Sequence, residues 1–321
     1  MSPSKKRRLA TCTLGVLAVL YSIYVLLDTF LLTRIQQEAQ ADNLSVFQNL
    51  SVQEITEQSE APDTSVTSQE NSQEFAEDDV NYDYADENIR ILLREYRQYD
   101  TSIYVAEVWL SSAEYLKTAL AEGSYGKNIT QKTSEMASEN QAILAINGDY
   151  YGARQTGYVI RNGVIYREEG AADTDVLCIY ADGSLAITNS SEKSAEELVR
   201  EGVWQAFSFG PGLLEDGQIT VSETDEVGKA KASNPRTAIG IIDDLHYVFV
   251  VSDGRTDASE GLSLYQLAEF LQSLGVQTAY NLDGGGSSTM VLNGEIINNP
   301  TTGGNHTKER SVSDIVYITA G

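Results

Sequence analysis

The hydrophobic positions are concentrated first near the amino terminus. Residues 9–27 contain no charged side chain and follow four basic residues at positions 5–8. A helix needs about 20 such residues to cross a bilayer, and this run is longer than the apolar region of a cleaved signal peptide. We therefore expect a transmembrane signal anchor over residues 9–32, with a cleaved signal as the alternative.

The next stretch is polar and acidic. No Lys or Arg occurs over residues 35–89, whereas fourteen Asp or Glu occur there with little apolar periodicity. Such a segment repels itself and buries little apolar surface, so we expect a disordered acidic stalk over residues 33–89. Since the basic cluster precedes the anchor, the positive-inside rule predicts a cytoplasmic tip at residues 1–8. The remainder is then expected outside the plasma membrane, on a single-pass protein.

From residue 90 onward, short runs of branched and aromatic side chains alternate with turn residues. Residues 91–96 and 103–109 predict one hairpin, and Asn162-Gly163 predicts the turn of another. Further strands are predicted at residues 143–146, 158–160, 164–166, 176–180, 185–188, 205–209, 237–242, 247–252, 278–282, 289–292 and 315–319.

Helical patterns are fewer in this part of the chain. One helix is predicted over residues 194–201, and another from the N-cap Ser263 to Gly275. A third, with a weaker pattern, is predicted over residues 112–121. The elements together indicate an α+β fold, a single domain over residues 90–321 with a mixed, mainly antiparallel sheet and a few helices.

The charge of the chain restricts its partners. The sequence has 47 Asp and Glu against 22 Lys and Arg, a formal net charge of −25. Nucleic acid is not expected as a partner, because nucleic-acid affinity depends mainly on Lys and Arg that neutralise phosphates. The net charge is +4 over residues 1–34, −14 over residues 35–89 and −15 over residues 90–321. Two cysteines, Cys12 and Cys178, are too few for a disulfide framework.

Polar clusters follow or precede several of the predicted strands. Residues 281–290 read Asn-Leu-Asp-Gly-Gly-Gly-Ser-Ser-Thr-Met, and their glycine amides and hydroxyls could hold an anion. Tyr150 and Tyr151 adjoin Asp149, a combination that suits sugar recognition. Arg236 enters a buried strand, where it needs a carboxylate or phosphate partner. Each cluster alone could be an ordinary turn or ion pair, but five clusters at strand ends indicate a site at one rim of the sheet.

These clusters also resemble a known family. The motifs occur in the order seen in phosphodiester glycosidases, and they are residues 147–151 (Asn-Gly-Asp-Tyr-Tyr), 209–211 (Phe-Gly-Pro), 234–237 (Asn-Pro-Arg-Thr), 253–255 (Asp-Gly-Arg), 281–288 (Asn-Leu-Asp-Gly-Gly-Gly-Ser-Ser) and 309–312 (Glu-Arg-Ser-Val). The family includes an enzyme that removes N-acetylglucosamine from the mannose 6-phosphate tag of lysosomal enzymes, and bacterial proteins linked to exopolysaccharide synthesis. The resemblance implies hydrolysis of a sugar-1-phosphodiester or phosphorylated glycan to free sugar and a phosphomonoester.

The resemblance also suggests roles for residues within the motifs. The carboxylates that could act as nucleophile or activate water are Asp149, Asp283 and Glu309. The residues expected to bind the sugar or the phosphate are Asn147, Tyr150, Arg236, Asp253, Gly284, Gly285, Gly286, Ser287, Ser288 and Arg310. Among these, the arginines and glycine amides would neutralise the phosphate that leaves.

Two other functions stay open at this point. The first is a metal-dependent phosphodiesterase with Mg²⁺ or Ca²⁺ held by Asp149, Asp253 and Asp283, because His246 and His306 alone cannot form a histidine-rich zinc site. The second is a cell-surface carbohydrate-binding module without turnover. The glycosidase interpretation requires no cofactor.

Overall fold

Within the part of the chain that the structure describes, the strands form three larger sheets and three short pairs. The computed structural model describes residues 3–48, 81–172, 174–225, 233–302 and 306–320. The helices are α1 Pro3–Phe30, α2 Thr133–Glu139, α3 Ala195–Arg200 and α4 Leu264–Ser273. The strands are β1 Arg34–Glu38, β2 Tyr82–Ala85, β3 Ile89–Gln98, β4 Thr101–Leu110, β5 Leu116–Leu120, β6 Ser124–Lys127, β7 Gln131–Lys132, β8 Leu144–Asn147, β9 Val159–Arg161, β10 Val164–Arg167, β11 Asp175–Tyr180, β12 Leu185–Asn189, β13 Val203–Phe207, β14 Gly212–Glu215, β15 Gln218–Ile219, β16 Thr237–Asp243, β17 His246–Ser252, β18 Thr278–Asn281, β19 Met290–Leu292, β20 Glu295–Ile296, β21 Thr301–Thr302, β22 His306–Thr307, β23 Ser311–Val312 and β24 Asp314–Ile318.

The sheet topology is antiparallel throughout these pairings. The eight-stranded sheet has the order β15-β14-β18-β16-β17-β4-β3-β2, and the two five-stranded sheets have the orders β20-β19-β8-β24-β5 and β10-β9-β13-β11-β12. The pairs β1–β6, β21–β22 and β23–β7 complete the set, and all pairings run antiparallel. The prediction of one mainly antiparallel domain with few helices is therefore confirmed. The expected mixed sheet is not found, because the described strands are divided among several sheets and all their pairings are antiparallel.

The main core lies where the three larger sheets meet. Alternate side chains of β3 and β4, such as Ile91 and Val108, pack with residues from the five-stranded sheets, such as Ile146 and Phe207. This alternation follows from the two-residue repeat of a strand, which directs every second side chain to the same face. Helix α4 covers the opposite face of the eight-stranded sheet, where its apolar side chains form one cluster with residues of β4, β14, β16, β17 and β18. The eight-stranded sheet is consequently buried on both faces along its centre.

Local sequence signals predicted several elements correctly. Tyr99 and Asp100 both have φ of 50° in the two-residue turn between β3 and β4, and Asn162-Gly163 forms the turn between β9 and β10. Both predicted helices with serine N-caps are present, and Ser194 and Ser263 each form a capping box with the residue three positions later. These features depend on neighbouring residues, which the sequence shows directly.

The predicted helix over residues 112–121 is wrong. Its centre is the strand β5, and 3₁₀ turns at Ala113–Tyr115 and Ala121–Gly123 flank it. Leu116 and Leu120 are buried while the side chains between them alternate in exposure, and the strand pairs with β24 at the far end of the chain. The pairing with a distant strand outweighs the weak local helix pattern.

The predicted stalk over residues 33–89 is corrected at both ends. Strand β1 pairs with β6, and β2 forms the edge of the eight-stranded sheet beside β3. Between them, Val46 is buried against Trp204 and Ala181. These short strands were not predicted, because their few apolar residues stand in a segment that is mainly acidic and polar. The central part of the predicted stalk, residues 49–80, lies outside the described residues.

Helix α1 contains most of the segment expected as the anchor. Its described apolar side chains are exposed, as Leu14, Tyr21 and Leu26 illustrate. Over the residues that the structure describes, no helix is both long enough and apolar enough to cross a membrane.

Candidate active site

A cleft of about 280 Å³ opens among the loops that follow β8, β13, β17 and β18 and the loop that precedes β16. Its lining combines three arginines, one carboxylate, two aromatic rings, two asparagines and two glycines. These residues are Tyr150, Arg154, Phe209, Asn234, Arg236, Arg255, Asn281, Asp283, Gly284 and Gly285. The cleft is large enough for a small polar ligand such as a monosaccharide with its phosphate.

Asp283 supplies the one acidic side chain of this lining. It follows β18 and Leu282, and its backbone is fixed because its carbonyl accepts a hydrogen bond from Asn147 Nδ2 at 2.6 Å. Burial raises the pKa of Asp283 from 3.8 to about 6, although the Ser287 hydroxyl and the charges of Arg310 and Arg154 act in the opposite direction. At neutral pH the group is therefore mainly a carboxylate, held in a site with little water.

The glycines after Asp283 allow other groups to approach the backbone closely. A Cβ at Gly285, whose φ is 63°, would lie 2.8 Å from Arg255 Nη2, and a Cβ at Gly284 would lie 2.8 Å from the Pro235 carbonyl oxygen. The Gly285 amide donates to that same carbonyl at 2.8 Å. This amide was expected to bind phosphate, but in the structure it closes the loop onto the start of β16.

Three guanidinium groups surround the cleft on separate elements. Arg154 donates to the Ser208 carbonyl at 2.9 Å, and its guanidinium lies 4.6 Å from the centre of the Phe209 ring. Arg236 is 2% exposed and donates through Nε to the Leu262 carbonyl at 2.8 Å.

The third guanidinium, Arg255, donates from Nη2 to Asn234 Oδ1 at 2.8 Å. Burial, and secondarily the charge of Arg310, lowers its pKa. Arranged in this way, the three guanidinium groups can receive an anion while their side chains stay fixed.

Asp149 occupies a buried charge cluster and is not among the residues that line the cleft. Its Oδ1 lies 3.0 Å from Arg161 Nη2 and accepts from the Tyr151 amide at 3.1 Å, while Oδ2 accepts from the Ser208 amide at 3.1 Å. Arg161 also pairs with Asp314 at 2.7 Å. Asp149 thus holds Ser208, the residue whose carbonyl fixes Arg154.

The buried cluster contains two carboxylates for one guanidinium. Asp314 is fully buried, and burial raises its pKa to about 7, while Arg161 lowers it and the charge of Asp149 raises it further. Sequence reasoning missed Arg161 and Asp314, because neither belongs to a recognisable motif. A signal did exist for Arg161. It lies in β9 beside two apolar residues, and a buried arginine needs an acidic partner.

Asn147 and Asp253 connect backbone segments around the cleft. Asn147 Oδ1 accepts from the Thr237 hydroxyl at 2.8 Å and the Thr289 amide at 3.2 Å, in addition to the bond that its Nδ2 donates to Asp283. Asp253 accepts from the Asn299 amide at 2.7 Å and from its Nδ2 at 2.9 Å. Both side chains therefore make structural contacts.

Glu309 caps a helix. Its carboxylate accepts from the Ser134 amide at 2.8 Å and from the Ser134 hydroxyl at 2.6 Å, at the first turn of α2. The neighbouring Arg310 is exposed, and a Cβ at Gly286 would lie 3.4 Å from its Nε. Arg310 thus lies close to the glycine loop, whereas the Glu309 carboxylate points to α2.

The predicted site residues are consequently divided. Tyr150, Arg236, Asp283, Gly284 and Gly285 line the cleft together. The predicted residues outside this lining are Asn147, Asp149, Asp253, Gly286, Ser287, Ser288, Glu309 and Arg310. Both serines are fully buried behind the loop.

Five lining residues were not predicted individually. Phe209, Asn234 and Asn281 stand within the motifs quoted for the resemblance, and Arg255 ends the cluster after β17, so a sequence signal existed for all four. Arg154 has no such signal, because it follows a 3₁₀ turn outside every motif.

The three aspartates proposed as metal ligands do not share a site. Asp149 pairs with Arg161, Asp253 accepts from Asn299, and only Asp283 lines the cleft. Within the described part of the chain, no group of three His, Cys, Asp or Glu side chains could hold a metal ion.

Comparison with known proteins identifies the family. The family model described as phosphodiester glycosidase matches residues 140–319, which is more than half of the chain. This protein belongs to the phosphodiester glycosidase family. The matched region contains all ten residues that line the cleft.

Individual relatives resemble part of the chain. The mouse N-acetylglucosamine-1-phosphodiester alpha-N-acetylglucosaminidase is 31% identical over 173 residues, 49% of this chain and 33% of that protein. The SPbeta prophage-derived uncharacterized protein YomE of Bacillus subtilis is 30% identical over 201 residues, 60% of this chain and 30% of that protein. The chain thus spans about a third of the length of the curated relatives that it matches.

A solved structure shares the fold. It is the zebrafish N-acetylglucosamine-1-phosphodiester alpha-N-acetylglucosaminidase catalytic domain, auto-inhibited by its pro-peptide. The match has a TM-score of 0.58 and 23% identity, and covers 72% of this chain and 82% of that one. At this identity the likeness concerns the fold.

Proposed function

We propose that this protein hydrolyses the glycosidic bond of a sugar-1-phosphodiester, such as N-acetylglucosamine 1-phosphate linked to a glycan or a cell-surface polymer. The observation that carries the proposal is the cleft that Arg154, Arg236 and Arg255 line together with the Asp283 carboxylate. The family membership supports the reaction class. The name of the mouse relative supports N-acetylglucosamine as the sugar.

The arginines suit the leaving group of this reaction. Cleavage breaks the bond between the anomeric carbon and the phosphate oxygen, and the electron pair goes to the phosphate. The departing phosphomonoester is an anion of low basicity, so fixed guanidinium groups can stabilise it without a general acid. Water supplies the hydroxyl group of the free sugar, and its other proton passes to the phosphomonoester or to the solvent.

Asp283 suits the developing positive charge on the sugar. A carboxylate beside the anomeric carbon stabilises an oxocarbenium-like transition state, either as a nucleophile or as the base that activates water. We assign this role to Asp283 because it lines the cleft, whereas Asp149 and Glu309 have structural partners elsewhere. Tyr150 and Phe209 offer aromatic surface to the sugar ring on the same cleft.

An assay of the full-length chain tests this function. With UDP-N-acetylglucosamine or another sugar-1-phosphodiester, we expect release of free sugar that persists in EDTA. Asp283→Ala and Arg236→Ala should each reduce the rate about 100-fold or more. Arg200→Ala, which changes an exposed arginine on α3, is the matched control and should keep wild-type activity.

Other outcomes of this assay would contradict the proposal. Sugar release that disappears with EDTA would favour the metal-dependent phosphodiesterase. Glycan binding without turnover of any sugar-1-phosphodiester would favour the carbohydrate-binding module. Circular dichroism of each variant separates loss of chemistry from loss of folding.

We also propose that residues 9–32 anchor the chain in the plasma membrane, with the domain outside and a surface phosphopolymer or exopolysaccharide within its reach. The support is the uncharged run behind the basic cluster. Membrane fractionation and amino-terminal sequencing test it. Recovery of the intact chain in the soluble fraction would exclude anchoring, and a chain that begins after residue 34 would show a cleaved signal.

A further inference from the structure

A second, smaller cavity of about 150 Å³ lies beside the cleft. Arg154 lines both, so the two cavities share this residue. Strand β6 contributes Tyr125 and Lys127 to the smaller cavity, and β10 contributes Arg167. The shared residue Arg154 places this second cavity next to the cleft.

The second cavity carries positive charge. Lys127, Arg154 and Arg167 line it, and its lining contains no acidic residue. Arg167 uses Nη1 to donate to the carbonyls of Tyr151 at 3.2 Å and Arg154 at 2.7 Å, so it contributes charge while it fixes the wall. The linings of the two cavities together contain five cationic residues and one carboxylate, Asp283, on a chain whose net charge is −25.

Lys127 is the cation best placed to bind a ligand there. Its side chain is 23% exposed, and its Nζ lies 3.8 Å from the Asp28 carboxylate, which is too long for a hydrogen bond. Among the described residues, the Lys127 ammonium makes no hydrogen bond within the protein, so its donors can reach an incoming anion. An ammonium group is a common ligand of phosphate.

The wall behind Lys127 is rigid. The rings of Tyr125 and Tyr151 stack with centroids 5.2 Å apart, and both residues are buried. The Tyr151 hydroxyl also donates to the Ser313 carbonyl at 3.3 Å. The cavity is therefore preformed, and a ligand can bind without ordering the wall first.

We propose that the second cavity binds an anionic group carried by the leaving part of the substrate, so that the preferred substrate has a second phosphate beyond the one whose bond is cleaved. This inference rests on the proposed function and names its substrate class, a glycan or polymer with more than one phosphate. At roughly 30 Å³ per water molecule, the cavity volume suits a phosphate group with part of a sugar ring.

A comparison of two substrates tests this subsite in the full-length chain. Both are N-acetylglucosamine 1-phosphodiesters of a methyl hexoside, and one carries an additional phosphate monoester on the hexose. We expect a KM about fivefold lower for the substrate with the extra phosphate, and Lys127→Gln should remove most of this difference. Lys132→Gln, at an exposed lysine paired with Glu135, is the control and should preserve the preference.

Binding of products gives a second readout that does not depend on turnover. In isothermal titration calorimetry, a hexose bisphosphate should bind the wild-type chain more tightly than a hexose monophosphate, and the difference should shrink in Lys127→Gln and at high salt. Equal affinities, or a preference that survives Lys127→Gln, would overturn the subsite. Absence of turnover together with this binding difference would instead count against the proposed hydrolysis.

Discussion

At the scale of single residues, the catalytic role proposed for the Asp283 carboxylate conflicts with the stability of the fold. Burial holds its pKa at about 6, against 3.8 for an ordinary aspartate, so ionising it costs free energy in the folded state. Between about pH 4 and pH 6 the folded chain retains a proton that the unfolded chain has lost. The contribution of this group to stability therefore decreases as pH rises through that window, and it stays lower above pH 6.

Asp283→Asn should separate the two effects. We expect the substitution to reduce turnover about 100- to 1,000-fold and to increase the free energy of unfolding at pH 8 by about 1–3 kcal/mol. Near pH 3.5 the stability difference should vanish, because the aspartate is then largely neutral in both states. Activity of the wild-type chain should rise with pH, with a midpoint at about 6. Denaturant titrations at the two pH values and a pH–rate profile provide the measurements.

An exposed aspartate serves as the control for this substitution. Asp243→Asn, at the end of β16, should change neither turnover nor stability appreciably at either pH. If Asp283→Asn is destabilising at pH 8, then desolvation of the Asp283 carboxylate does not lower stability. If the variant turns over substrate at the wild-type rate, then the carboxylate is not catalytic.

At the scale of elements, the Glu309 carboxylate caps the first turn of helix α2. The helix has seven residues, and its first turn leaves backbone N–H groups without partners inside the helix. The Glu309 carboxylate accepts from one of them, the Ser134 amide, across 175 residues of sequence. A negative charge at this position also interacts favourably with the helix dipole.

Glu309→Gln should therefore affect stability more than catalysis. We expect a loss of about 0.5–2 kcal/mol in the free energy of unfolding, with kcat/KM within about twofold of wild type. Glu135→Gln, on the exposed surface of the same helix, should leave the free energy of unfolding unchanged. A 100-fold loss of kcat in Glu309→Gln without loss of stability would assign this carboxylate to the chemistry.

The elements show which features could be predicted from sequence. The turns at Tyr99-Asp100 and Asn162-Gly163, and the capped helices α3 and α4, depend on residues within a few positions of each other. Strand β5 could not be predicted, because its conformation is determined by pairing with β24, about 200 residues away. The environments of the carboxylates could not be predicted for the same reason. The convergence of distant strand ends determines that Asp149 pairs with Arg161 and that Asp283 faces the cleft.

At the scale of the whole molecule, the net charge of the chain differs in sign from the charge of its two cavities. The net charge of −25 argues against a polyanionic partner for the whole surface, yet three cationic side chains line each cavity. A cleft with low-dielectric walls concentrates the field of its own side chains, so a small anion can bind there on a negative protein. The net charge is the reason that we do not expect nucleic acid as a partner. It could not predict the positive charge of the cleft.

The segment before the domain is part of the folded molecule. Val46 is 1% exposed and packs with Trp204 and Ala181, and the Phe47 ring lies 5.0 Å from that of Trp204 at an angle of 66°. Strand β1 pairs with β6 in the same region, beside the cavity that contains Lys127. The described part of the predicted stalk thus contributes to the stability of the domain.

Val46→Ala should consequently destabilise the whole domain. Removing two buried methyl groups leaves a cavity beside Trp204, so we expect a loss of about 1–3 kcal/mol in the free energy of unfolding. Leu44→Ala, at a side chain that is 50% exposed two residues earlier, removes a larger group but should cost less than about 0.5 kcal/mol. Denaturant unfolding followed by tryptophan fluorescence measures both, because Trp204 reports on this contact. If both substitutions change the free energy of unfolding by the same small amount, this segment is a tether that does not contribute to folding. A larger loss for Val46→Ala alone places the start of the cooperative unit before residue 46.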